Sequence, residues 1–181
     1  MEYQFTGFQP FREHTYNPSW DAAAAAAEVL ASRAYELEVT FEAAERDAAW
    51  LVQSGRCVVM FGLSAKSWNV QFERFAHNLR GIAPLEEGPL DDSEDVLRET
   101  SLDISALAKA WDEEALKHGL PRAALSRDAG NYVCNAIYWH ALGACKDDAQ
   151  ALFVHIPPVT PEIAKEIGQR LARLLAVSGE R

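Results

Sequence analysis

Cys57-Val58-Val59-Met60-Phe61 is the stretch that decides the fold. Five apolar residues in a row, without alternation, fit a strand covered on both faces in the middle of an α/β sheet. A second run of this kind, Ala151-Leu152-Phe153-Val154-His155-Ile156, lies far along the chain and is broken by Pro157-Pro158. Working outward from the first run, segments of strand and helix character alternate from end to end, the signature of an α/β domain. Upstream lie a short strand around Tyr3 to Thr6 and a helix opened by Asn17-Pro18-Ser19, with Asn17 or Ser19 as N-cap, running to about Ser32. They are followed by an alternating strand from Tyr35 to Phe41 and a helix from about Ala43 to Gln53 stopped by Gly55. Downstream, Trp68 to Phe75 alternates as one strand, and Leu79 to Thr100, with its Gly, Pro and acidic residues, is the least ordered stretch. A helix over Asp103 to His118 stops at Gly119, and a short strand at Ala123 to Ser126 leads into a helix from about Asn131 to Ala144. Pro161 opens the C-terminal helix, whose stripe Ile163, Ile167, Leu171, Leu174 and Leu175 faces a core. Trp68, Trp111 and Trp139 read as core or interface positions, core ahead of interface for each. One compact domain over residues 1–181 is expected.

Charge and cysteine usage exclude several function classes. Against 27 acidic residues stand only 17 Lys and Arg, for a net charge of −10. Nucleic acid and anionic membrane surfaces both require a basic patch, and no run of Lys and Arg supplies one. The three cysteines, Cys57, Cys134 and Cys145, form no CxxC pair, which points to a reducing compartment. Cys134 and Cys145 on one helix would stand roughly 16 Å apart, beyond disulfide reach. MEYQF lacks the basic and apolar regions of a signal peptide, and no apolar stretch approaches the ~20 residues of a membrane span, so the expected location is the cytoplasm. No GxxxxGK, GxGxxG, HxxxH or HExxH occurs, which leaves no expected cofactor and no expected metal.

Three segments carry reactive residues. In Ser126-Arg127-Asp128-Ala129-Gly130-Asn131-Tyr132-Val133-Cys134-Asn135, a strand feeds a glycine turn and a helix with Cys134 near its start. The helix N-terminus favours a thiolate there and offers unpaired backbone N–H groups to an oxyanion. A buried cysteine packing as a small apolar side chain is the plain alternative. His155 ends an apolar strand just before prolines, where an imidazole serves either as a base toward a thiol or as a hydrogen-bonded structural group. Glu73, between Phe72 and Arg74, either orients a histidine or pairs with Arg74 on a solvated strand face.

Together with the opening Thr6-Gly7-Phe8-Gln9-Pro10-Phe11 and Asn17-Pro18-Ser19, these segments resemble the pyroglutamyl peptidase I (pyrrolidone-carboxylate peptidase) family at four separated places in the same order. The matching elements are that opening, Glu73-Arg74-x-Ala76-x-Asn78, Ser126-x-x-Ala129-Gly130-x-x-x-Cys134-Asn135 and Phe153-x-His155-Ile156-Pro157. The resemblance implies a single three-layer α/β/α sandwich with a mixed, mostly parallel sheet. It implies a cysteine exopeptidase that removes N-terminal pyroglutamate, with Cys134 as nucleophile, His155 as base and then acid, and Glu73 as the orienting carboxylate. Phe8 and Phe11 would flank the flat lactam, and the partner would be a peptide with a blocked N-terminus. A homo-oligomer is also implied, although no self-complementary patch is visible in the sequence.

The rim of the site departs from the pattern. Arg12-Glu13 stand where the family has two glycines, Gly62-Leu63-Ser64-Ala65-Lys66 lacks a glutamine, and Leu79-Arg80-Gly81-Ile82-Ala83-Pro84 replaces an Arg-Ile-Pro-Asp-Asn stretch. Three readings stay open on these residues. They are a pyroglutamyl peptidase with altered rim contacts, a cysteine hydrolase of another N-terminal or cyclic amide, and a non-catalytic peptide-binding or assembly homologue.

Overall fold

A computed structural model of the chain describes residues 2–54, 57–81 and 87–178. The helix stop at Gly55 and the Ile82-Ala83-Pro84 stretch lie outside the described residues. The strands are β1 (Tyr3–Phe8), β2 (Arg33–Leu37), β3 (Cys57–Leu63), β4 (Val70–Glu73), β5 (Phe75–His77), β6 (Leu97–Glu99), β7 (Ala123–Ser126) and β8 (Gln150–Ile156). The helices are α1 (Pro18–Val29), α2 (Phe41–Ser54), α3 (Ile104–His118), α4 (Val133–Ala144) and α5 (Pro161–Ser178).

The two apolar runs read from the sequence, β3 and β8, lie side by side and parallel at the centre of a six-stranded sheet ordered β2-β1-β3-β8-β4-β7. Only the β4–β8 junction is antiparallel, so the sheet is mixed and mostly parallel. Period-two alternation divides the runs between two layers of helices. Val59, Phe61, Leu152 and Val154 pack with α1, α3 and α5, whereas Val58, Met60 and Phe153 pack with α2 and α4. Phe5, Phe61, Phe72, Phe153, Trp111 and Trp139 are fully buried in these layers. No described helix is long and apolar enough to cross a membrane.

Capping chemistry sets the helix ends. The Asn17 side chain accepts from Ser19 N at the start of α1, Asp103 caps α3 through Ser105 N and Ala106 N, and Gly119 closes α3 at φ 64°. Where the alternating pattern predicts strand up to Phe41, the chain has already turned. Thr40 Oγ1 accepts from Ala43 N at 3.1 Å, and this local cap starts α2 at Phe41.

The single strand expected over Trp68 to Phe75 is two. At Arg74 the chain leaves the main sheet, its N–H on Ser126 O at 2.8 Å and its carbonyl accepting from Thr100 N at 3.1 Å. β5 then pairs antiparallel with β6 in a separate two-stranded sheet. Trp68 is not core as expected, being 88% exposed, because Ser67 bonds both Ser64 O and Asn69 and folds this segment into a turn before β4. The segment from Leu90 to Ser93 gains its order from Asn78. Its side chain accepts from Leu90 N at 2.7 Å and Asp91 N at 3.2 Å, and donates to Asp91 O and Ser93 O.

α5 crosses α1 with Gly168 at the crossing. A methyl group there would lie 2.7 Å from the Ala22 carbonyl carbon and 2.9 Å from its Cα, which are rigid backbone atoms. Gly168→Ala is therefore expected to destabilise the protein by about 1–3 kcal/mol despite the better helix propensity of alanine. Urea denaturation checks this, and an unchanged or raised midpoint would contradict the packing described.

Candidate active site

β1, β3 and β8 are parallel and end at one edge of the sheet, where the three chemistry-bearing segments meet. His155 lies near the end of β8, in register with Gly62 of β3. A methyl group on Gly62 would lie 2.7 Å from the Phe153 ring and 3.1 Å from Cys134 Sγ. The glycine thus leaves room for the sulfur to approach the sheet beside His155.

Glu73 reaches His155 by strand geometry. β4 is antiparallel to β8, with Glu73 opposite Phe153 and Gln71 opposite His155. Glu73 and His155 are diagonal neighbours on one face, close enough for a side-chain contact. Glu73 Oε1 lies 2.8 Å from His155 Nδ1, with Glu73 fully buried and His155 8% exposed. The other carboxylate oxygen, Oε2, is buried with no hydrogen-bond partner among the described residues. Arg74 pairs with Glu99 instead, at 2.6 Å, so the expected alternative of a Glu73–Arg74 ion pair is not formed.

Cys134 is the second residue of α4 and is half-buried. Tyr132 caps this helix without a side-chain hydrogen bond. The backbone N–H groups of the first turn, including that of Cys134, have no partner within the helix. The His155 ring is hydrogen-bonded to Glu73, and Cys134 stands close enough to act on its charge. Burial alone would hold the imidazole pKa down, but Cys134 and Glu73 outweigh it and push it up to about 10. The other two thiols are pushed up by burial, Cys57 to about 12 and Cys145 to about 11.

Asn135 anchors the site from below. Fully buried, it accepts from His77 N at 2.8 Å and donates to the carbonyls of His77 and Leu79, fastening α4 to the segment that follows β5. Tyr138 OH donates to Glu73 O at 2.9 Å and fixes the end of β4.

Of the two phenylalanines expected at the ligand, Phe11 is half-buried with its ring 6.4 Å from Tyr132. Phe8 is only 2% exposed and packs 6.4 Å from Phe153, whose ring lies 4.8 Å from His155. Sequence reading passed over Tyr132. Its place at the helix cap, two residues before the thiol and with no capping side chain, was the available signal. Arg12 has φ 52°, the left-handed region that favours glycine.

A thiol, an imidazole and a buried carboxylate in one contact series, at the strand ends of a mostly parallel sheet, are the parts of a thiol hydrolase site. Comparison with known proteins speaks to the family and the fold. The family model described as pyroglutamyl peptidase matches residues 1–175. Human pyroglutamyl-peptidase 1 is 28% identical over 185 residues, covering 94% of this chain and 86% of the human protein. The pyrrolidone-carboxylate peptidase of Thermococcus onnurineus is 28% identical over 173 residues, covering 87% and 84%. Among solved structures, Bacillus amyloliquefaciens pyroglutamyl peptidase I shares the fold at TM-score 0.78 and 24% identity, covering 97% of this chain and 94% of that one. A variant of the Pyrococcus furiosus pyrrolidone carboxyl peptidase does so at TM-score 0.80 and 19% identity, with both chains fully covered. The chain belongs to the pyroglutamyl peptidase family, a family of cysteine-type exopeptidases.

Proposed function

We propose that this protein removes an N-terminal pyroglutamyl residue from peptides, with Cys134 as nucleophile, His155 as base and then acid, and Glu73 as the carboxylate that orients His155. The observation that carries the reading is the 2.8 Å bond between the nearly inaccessible Glu73 and His155, with the Cys134 sulfur brought against Gly62, the residue in register with His155. The Cys134 thiol gives its proton to His155, and the sulfur attacks the pyroglutamyl carbonyl carbon. The oxyanion that forms lies at the start of α4, where the N–H groups of the first turn have no partner within the helix. Collapse of this intermediate breaks the C–N bond while His155 returns the proton to the departing amine, leaving a thioester. Water, deprotonated by His155, then releases pyroglutamate and restores the thiol. Phe11 and Phe8 are the rings assigned to flank the lactam, and Tyr132 adds a third aromatic surface beside Cys134.

Fluorophore release from a pyroglutamyl amide, compared with proline, alanine and glutamine amides, tests the specificity. Cleavage confined to the pyroglutamyl amide is expected. Preference for one of the others would replace pyroglutamate with that group as substrate. The thiol assignment has a separate readout in iodoacetamide labelling near pH 7.5. Cys134, half-buried at the start of α4 and near the His155 imidazole that takes its proton, is expected to react roughly a hundredfold faster than Cys57 or Cys145, whose thiols burial keeps protonated. Equal slow labelling of all three would count against an activated Cys134.

A further inference from the structure

We infer that the mouth of this site selects peptides with a carboxylate close after the pyroglutamyl residue, recognised by Arg12 and Arg80; the inference rests on the pyroglutamyl reading above. The Arg12 backbone sits in the left-handed region at φ 52°. For a side-chain-bearing residue this conformation is strained, and such strain persists only where the surroundings hold it and tends to gather at ligand sites. What holds Arg12 is visible, because its guanidinium lies 4.6 Å from the centre of the Tyr132 ring. Tyr132 meets Phe41 edge-to-face at 5.7 Å, and the Arg80 guanidinium lies over the Phe41 ring at 5.6 Å. Two cations therefore rest on one aromatic strip, which begins two residues before Cys134.

Arg46, Arg74, Arg98, Arg122 and Arg170 each meet a carboxylate. Arg12 and Arg80 have none among the described residues, in a chain of net charge −10 with acidic groups in excess. Arg33, Arg127 and Arg173 likewise meet no carboxylate among the described residues, so it is the shared aromatic strip, together with the missing carboxylate, that sets Arg12 and Arg80 apart. Stacking on a ring occupies the flat face of a guanidinium and leaves its N–H fork free, ordered for a bidentate carboxylate. The pyroglutamyl ring is uncharged and has no use for a cation. The group that meets these arginines belongs to the leaving peptide, as either an acidic side chain or the free C-terminus of a dipeptide.

Three substrates separate the sources: pyroglutamyl-glutamate amide, pyroglutamyl-glutamine amide and pyroglutamyl-glutamine with a free carboxylate. At low ionic strength the expected kcat/KM is about tenfold higher for a carboxylate-bearing substrate than for the neutral amide, a ratio that shrinks as salt screens the pair. Preference for the first charged substrate alone assigns the side chain, and preference for the second alone assigns the C-terminus. In Arg12→Gln and Arg80→Gln the ratio falls, in the double variant it approaches one, and Arg12→Lys keeps part of it. Because the ratio is taken within each variant, loss of folded protein does not affect it. Equal rates for all three substrates, or a preference that survives in the double variant, would overturn the inference and leave the pyroglutamyl reading standing. Failure to cleave any of the three, by protein that cleaves another N-terminal amide, would remove both.

Discussion

Cys134→Ser is expected to lower kcat/KM on a pyroglutamyl amide by roughly 10⁴-fold or more while the protein stays folded. An imidazolium stabilised by a buried carboxylate is matched to a thiolate, an anion that forms near neutral pH. A serine hydroxyl is a far weaker acid and cannot fill that place. Part of what raises the His155 pKa is Cys134 itself, so the exchange removes the acidic thiol and weakens the histidine's hold on a proton together. The exchange replaces one sulfur by a smaller oxygen at a half-buried position, so the fold should tolerate it within about 1 kcal/mol. Steady-state rates and a thermal melt on the same preparation check both halves. Serine enzyme retaining a tenth of the wild-type rate would mean that another group carries the reaction.

Glu73→Gln is expected to reduce kcat/KM by roughly 10²–10⁴-fold, up to the loss of about 10⁴ that follows when a triad's orienting carboxylate is neutralised without changing its shape. Glu73 is fully buried, and Oε1 on His155 Nδ1 is its one side-chain hydrogen bond among the described residues. An amide in its place can still meet the ring but cannot stabilise its charge, and its second polar atom remains buried without a partner. The pH dependence gives the decisive sign. The folded pKa of His155 is raised above the ordinary value of about 6.5, to about 10. The stability this confers is complete below about 6.5 and is lost as pH rises toward about 10. The acid needed by the leaving amine is lost over the same upper range. With the carboxylate gone, the alkaline fall in both stability and kcat/KM should begin at lower pH. An unmoved alkaline limb in Glu73→Gln would show that Glu73 does not act through His155.

Much of this was legible in the sequence because its signals are local. The unalternating runs at Cys57 and Ala151 marked the two central strands, and Pro161, Asn17, Asp103 and Gly119 marked helix ends through their own side chains or backbone freedom. Signals failed where a tertiary partner decides. Nothing local says that the chain leaves the main sheet at Arg74, since the groups that draw it away are Ser126 O and Thr100 N. Trp68 looked like core by composition, yet a turn built by Ser67 turns it outward. At the site, Glu73 had an obvious neighbour in Arg74, and only the antiparallel register of β4 on β8 brings it to His155 instead. Tyr132 escaped notice, and Arg12 was legible only as a rim departure, because their contact joins the loop after β1 to the cap of α4, some 120 positions away (132 − 12).

The central claim is that a pyroglutamyl thioester forms on Cys134. Acid quenching during turnover of a pyroglutamyl ester, followed by digestion and mass mapping, tests it most directly, since a thioester survives acid. One pyroglutamyl group is expected on the peptide containing Cys134, and none in Cys134→Ser. A pyroglutamyl group on any other residue, or a burst of leaving group with no acylated Cys134, would contradict it.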